Sequence, residues 1–132
     1  MAANTKRIRV LLTKSDQDAH EVAIRYIAWT LREAGIEVLF TRYERIEDVL
    51  QTALEEDVSI VGISFYGSGM MYETETLLGL MRGHDMGDVK VMLGGTITPK
   101  EHAKLLDMGV HKVFPSGCGT ANDVAGYVLS AG

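Results

Sequence analysis

The segment Lys14-Ser15-Asp16-Gln17-Asp18-Ala19-His20 gathers a cation, two carboxylates and an imidazole within seven residues. Asp18 and His20 bracket a single residue. In an extended loop, side chains at i and i+2 point the same way. The Asp18 carboxylate can then accept a hydrogen bond from one imidazole nitrogen of His20, leaving the other neutral and able to bind a metal. Lys14 can reach Asp18 and modulate the negative character it lends the ring. The same residues admit a second use. Asp18 can N-cap the following helix, with Glu21 at the third helical position completing a capping-box-like pattern. Spacing leaves both uses open. It argues against a phosphate cradle, because Asp16 and Asp18 would repel an anion and the loop is not rich in the Gly, Ser and Thr such sites use.

Three further loops carry ligand-binding features. Ser64 is followed by Phe65, Tyr66, Gly67, Ser68, Gly69, Met70, Met71 and Tyr72. Gly67 and Gly69 allow positive φ and the close approach of a ligand. So many large side chains at a loop expected to face solvent suit either core capping or an apolar ligand or partner. Gly94 and Gly95 follow a strand-like run and remove two side chains from its end. The segment 115–123, PSGCGTAND, repeats the device, and Thr120 or Ser116 can cap a helix or bond a ligand. Cys118, the one cysteine, has no partner for an internal disulfide. His84, His102 and His111 show no metal-ligand spacing. His84 is placed in a turn, His102 on the exposed side of a helix and His111 before a strand.

The elements that must position these loops alternate along the chain. Apolar runs at 8–13, 36–41, 58–64, 89–95 and 111–115 suit strands buried on both faces of a parallel sheet. Helical spacing fills the gaps. Ala23, Ile27, Leu31 and Ala34 mark the first helix, with Gly35 as its stop. Ile46, Val49, Leu50, Ala53 and Leu54 mark the second, and Leu77, Leu78 and Met81 the third. Ala103 and Leu106 mark the fourth, between Pro99 and Gly109, and Ala121, Val124, Ala125 and Val128 the last. Strand then helix, five times over, predicts an α/β, flavodoxin-like doubly wound sandwich of five parallel strands in the order 2-1-3-4-5. Ligands of such sheets bind beyond the carboxyl ends of the strands where the order reverses, which selects the loops at 14–20, 64–70 and 94–97.

A chain of 132 residues, 46% of them hydrophobic, suits one domain spanning 1–132 with a single buried core. The formal charge of −5 and the lack of a basic cluster argue against a nucleic-acid partner. No apolar run approaches the roughly 18 residues of a membrane span, and MAANTKR is too short for a signal peptide's apolar region. The expectation is a soluble, cytoplasmic protein.

The order of the motifs is more specific than any one of them. Asp-x-His follows the first strand, Ser the third, Gly-Gly the fourth and a Gly/Thr loop the fifth. This resembles the cobalamin-binding domain of the methylmalonyl-CoA mutase-like family, over almost the whole chain. The segment KSDQDAH, with lysine four residues before the aspartate, resembles the acyl-CoA mutases more than glutamate mutase. The resemblance implies His20 as the lower axial ligand of cobalt, displacing cobalamin's own benzimidazole, with Asp18 and Lys14 behind it. It implies a slot beside the sheet for the displaced nucleotide tail, where Ser64 bonds the benzimidazole and Gly94 and Gly95 line the wall. Positions 23, 66, 67, 117 and 120 (Ala23, Tyr66, Gly67, Gly117, Thr120) fall in the corresponding cofactor-binding loops. Two positions depart from the family motifs Asp-x-His-x-x-Gly and Ser-x-Leu. Ala23 stands at the glycine and Tyr66 at the leucine, where its ring would partly fill the slot or stack on the benzimidazole.

The implied function is the small subunit of an adenosylcobalamin-dependent mutase that isomerises an acyl-CoA carbon skeleton. The chain is too short to contain the substrate-binding (β/α)₈ barrel, which takes about 250 residues, so a separate large subunit is expected to hold the acyl-CoA. A corrinoid methyl carrier would share Asp-x-His but usually adds a helical cap before the sheet. A degenerate, non-catalytic member is the other alternative. A phosphorylated receiver domain would need an aspartate where Ser64 stands and a lysine near Pro115 and Ser116.

Overall fold

The computed structural model describes residues 8–17, 20–66, 69–116 and 119–132. Asp18, Gly67, Gly117 and Cys118 lie outside the described residues. The strands are β1 (Arg9–Ser15), β2 (Glu37–Tyr43), β3 (Ile60–Phe65), β4 (Lys90–Gly95) and β5 (Lys112–Pro115). They alternate with α1 (Val22–Glu33), α2 (Ile46–Glu56), α3 (Met70–Gly83), α4 (Pro99–Met108) and α5 (Ala121–Ala131). All pairings are parallel, and the order is β2-β1-β3-β4-β5. The flavodoxin-like sandwich read from the sequence is the fold.

Because successive strand residues face opposite sides, the sheet carries two cores. Leu11, Val61, Ile63, Val91, Leu93 and Val113 pack against α2, α3 and α4. Val10, Leu12, Ile60 and Met92 pack against α1 and α5 through Ile24, Ala28, Leu31, Val124 and Val128. Helix ends follow local chemistry. Thr98 caps α4 in a capping box with Glu101, Pro99 occupies its first turn, and Gly109 closes it at φ 117°. Thr120 and Asp123 form the same box at α5.

Two helices turn differently from their expected stripes. In α1 the buried residues are Ile24, Ala28, Thr30 and Leu31, while Ala23 and Ala34 are exposed and Ile27 is half-buried. Ala23 and Ile27 face a cavity instead of the sheet. In α4 the seat is Leu105, fully buried; Ala103 is exposed and Leu106 is 45% exposed. His102, expected on the exposed side, is half-buried.

Candidate functional site

Two rows across the sheet build the site. Leu12, Gly62 and Met92 are register partners, and Lys14, Ser64, Gly94 and Phe114 form the next row toward the strands' carboxyl ends. Both rows face α1 and α5, on the side of Leu12 and Met92. The central positions Gly62, Ser64 and Gly94 are small, so sheet and helices do not close over them. The result is a cavity of about 340 Å³ between β3 and β4 on one side and α1 and α5 on the other. That volume suits a small-molecule group. Leu12, Gly62 and Met92 lie deepest; Ala23, Tyr26 and Ile27 form the α1 wall, and Ala121 and Val124 the α5 wall. Tyr66, Phe114, Ser116 and Thr120 surround the end nearest the loops.

The two glycines after β4 have different roles. A Cβ on Gly94 would meet nothing nearer than the Phe114 carbonyl oxygen at 3.5 Å, an ordinary contact. Protein packing does not demand glycine there; its absent side chain keeps the cavity wall low. Gly95 has φ 123°, and a Cβ would come within 1.8 Å of the Phe65 carbonyl oxygen. It lines the cavity, but its lack of a side chain serves the crossing of β3 and β4. Thr120 also lines the cavity, with its Oγ1 accepting from the Asp123 amide at 3.2 Å. Ser64 is half-buried in the cavity wall, and its hydroxyl has no hydrogen-bond partner among the described residues.

His20 is exposed at the loop end of the sheet. Its ring stacks on Tyr66, with centroids 4.9 Å apart and planes 21° from parallel. Since Tyr66 lines the cavity, the imidazole stands beside its opening. Among the described residues, no three His, Cys, Asp or Glu side chains come together as a metal site.

Lys14, read as reaching Asp18, is fully buried on β1. Its Nζ donates to the Ser15 carbonyl at 2.7 Å and lies 3.5 Å from Glu21 Oε2. Glu21 is not part of a capping box. It occupies the N-cap position of α1 with no side-chain cap bond, because its carboxylate serves as an acceptor elsewhere. Arg42 donates to it through both Nε and, at 2.6 Å, Nη2, and Arg25 Nε donates at 3.0 Å. The Arg42 hydrogen bond above all holds the Glu21 carboxyl at about 2, against the usual 4.5, with Arg25 reinforcing it against partial desolvation. This cluster pins the start of α1 to the ends of β1 and β2, just after His20. The other histidines have local work: His111 Nδ1 accepts from the Val91 amide at 3.0 Å, and His84 Nδ1 bonds the Leu80 carbonyl at 2.9 Å.

Sequence reasoning missed Gly62, Tyr26, Ile27, Met92 and Phe114 as cavity residues. The signal for the first was present: Gly62, Ser64 and Tyr66 recur at the two-residue period of one strand face. The α1 residues could not be assigned without knowing how far the helix is rotated.

Comparison with known proteins decides what this arrangement belongs to. The family model described as the B12 binding domain matches residues 8–125. The chain belongs to the B12-binding domain family. Within it, the chain is 35% identical over 116 residues to the pivalyl-CoA mutase small subunit of Xanthobacter autotrophicus, covering 87% of this chain and 78% of that protein. It is 32% identical over 108 residues to the 2-hydroxyisobutanoyl-CoA mutase small subunit of Aquincola tertiaricarbonis, covering 81% and 79%. A cobalamin-binding protein from Desulfitobacterium hafniense superposes with TM-score 0.80 at 17% identity, over 96% of this chain and 60% of that one. The receiver domain of NarL from Mycobacterium tuberculosis superposes with TM-score 0.74 at 15% identity, over 96% of each. These two likenesses are of fold alone, and the residues at the open end distinguish the B12-binding domain from the receiver. The cavity fits what this family houses: its lining is mostly apolar, it includes the Ser64 hydroxyl, which no described residue engages, and it stays open with Ala23 and Tyr66 in place.

Proposed function

We propose that this chain is the cobalamin-binding small subunit of an adenosylcobalamin-dependent acyl-CoA mutase, working with a large (β/α)₈-barrel subunit that holds the acyl-CoA. The observation that carries the reading is the cavity of about 340 Å³ opening beside the exposed His20 imidazole. In this reading His20 provides the lower nitrogen ligand to cobalt, and Asp18 and Lys14 stand behind it. The cavity would hold the cofactor's nucleotide tail, with the Ser64 hydroxyl as the hydrogen-bond partner of its base. Gly94 leaves the tail room, and the apolar walls from α1 and α5 keep water out. Gly67, Gly117 and Thr120 belong to the loops around the corrin. The bound cofactor supplies the radical chemistry of the carbon-skeleton rearrangement, while this chain supplies the ligand, the slot and the orientation. Support for the acyl-CoA class comes from the two mutase small subunits that the chain resembles over more than three quarters of their lengths.

The test is titration of the chain with hydroxocobalamin, followed by its visible spectrum. Binding is expected to displace the benzimidazole and place histidine on cobalt, and His20→Ala is expected to abolish the histidine-bound spectrum. A cobalamin spectrum unchanged at saturating protein would overturn the reading in favour of a degenerate domain. The mutase assignment is tested by adding the large subunit of a relative and assaying isomerisation of a branched acyl-CoA.

A further inference from the structure

Tyr66 stands where the family motif has leucine, and its ring is engaged in a specific contact. It lies one residue beyond β3, continuing the Gly62–Ser64 face, and is half-buried as part of the cavity wall. The His20 ring lies against it at 4.9 Å between centroids and 21° between planes. That is a stacked arrangement within the range favourable for aromatic pairs. His20 itself is exposed and belongs to the β1–α1 connection. The Tyr66 ring, supplied from the end of a different strand, gives that imidazole a flat surface to lie against. A leucine could fill space there, but it offers no planar surface to set the tilt of an imidazole.

We infer that Tyr66 is a positioning residue for His20, its ring holding the imidazole plane ready to meet cobalt from below. The inference rests on the reading of His20 as the cobalt ligand. It differs from a tail-contacting role for Tyr66, because an effect on the imidazole is independent of whether the corrinoid has a tail.

That difference supplies the experiment. The full chain and its Tyr66→Leu, Tyr66→Phe, His20→Ala and His20→Ala/Tyr66→Leu variants are titrated with cobalamin and with cobinamide, which lacks the nucleotide tail. Nitrogen splitting in the EPR spectrum of the cob(II)inamide complex reports the imidazole on cobalt, since cobinamide has no base of its own. For cobalamin the chain carries ¹⁵N-labelled histidine, so that a doublet reports the imidazole and a triplet the benzimidazole. Tyr66→Leu is expected to weaken both corrinoids by about 3- to 10-fold, the worth of one aromatic pair, and to broaden or lose the nitrogen splitting. Tyr66→Phe keeps the ring and is expected to behave as the parent. In the His20→Ala background, Tyr66→Leu should have no further effect on cobinamide, which a general loosening of the fold would not reproduce. The inference is overturned if Tyr66→Leu spares cobinamide while weakening or tightening cobalamin, since the ring then acts on the tail. It is also overturned if Tyr66→Phe matches Tyr66→Leu, or if the His20→Ala background preserves the full effect. Failure of the parent chain to bind either corrinoid would instead remove the proposed function itself.

Discussion

At the scale of single residues, neighbouring positions that look alike in sequence separate into different physical roles. Gly94 and Gly95 are the clearest pair. The Cβ of a Gly94→Val side chain finds room against the protein, meeting nothing nearer than 3.5 Å, and starts the side chain from the cavity wall. The variant is expected to melt close to the parent and to bind cobalamin about 5- to 150-fold more weakly, the effect of overfilling a packed site by about 1–3 kcal/mol. Gly95→Ala meets the Phe65 carbonyl oxygen at 1.8 Å and keeps an unfavourable φ of 123°. It is expected to lose about 1–3 kcal/mol or more of folding stability in chemical denaturation. If Gly94→Val is instead the unstable protein, the assignment of these glycines is reversed. Ser64→Ala leaves the fold unchanged, because no described residue uses the hydroxyl. It is expected to cost cobalamin about 2- to 10-fold in affinity, the value of one neutral hydrogen bond, and to leave cobinamide unaffected in the same titration.

At the scale of elements, periodicity located all five helices but not their rotation. Ala23, Ile27 and Leu31 are a correct apolar series for α1, yet only Leu31 is fully buried; Ala23 is exposed and Ile27 half-buried, and both border the cavity. Hydrophobic spacing cannot distinguish a residue facing a core from one facing an apolar ligand, since both are apolar for the same reason. Leu31→Ala is therefore expected to destabilise by about 2–5 kcal/mol in urea titration, whereas Ala23→Gly costs only about 1 kcal/mol of helix propensity. The α4 stripe failed for a different reason: one residue, Leu105, anchors the helix, so little pattern exists to read. The attachment of α1 to β2 was not legible either. Glu21 and Arg42 are 21 residues apart and meet only because β2 lies beside β1. The Glu21 carboxyl is held at about 2, below its usual 4.5, so folding favours its ionised form. The stability from this pair is present above about pH 4.5 and is lost as pH falls from there through about 2. Thermal melts of the parent and of Glu21→Gln should differ at pH 7, approach each other as pH falls below 4.5 and converge below about pH 2. A gap that persists in acid would show that the carboxylate charge is not what secures α1.

At the scale of the whole molecule, the fold was the most legible feature and the least informative about function. Five buried strands alternating with five helices leave few topologies, and the observed order is the expected one. The same architecture superposes on a signal receiver as well as on a cobalamin-binding protein. In this chain the open end of the sheet carries an imidazole at position 20, a serine at position 64 and a column of small residues beneath. The small column was partly visible in Gly94-Gly95 and in Ser64. Gly62 was legible only through the two-residue period it shares with Ser64 and Tyr66; its neighbours Leu12 and Met92 across the sheet were not. No described helix is long and apolar enough to cross a membrane.

The most direct test of the central claim is EPR of cob(II)alamin bound to the chain grown with ¹⁵N-labelled histidine. The account predicts that each line's triplet from ¹⁴N becomes a doublet on labelling, and that the doublet is absent in labelled His20→Ala. A triplet that survives in labelled protein would mean that cobalamin keeps its own base on cobalt, and His20 would not be its ligand.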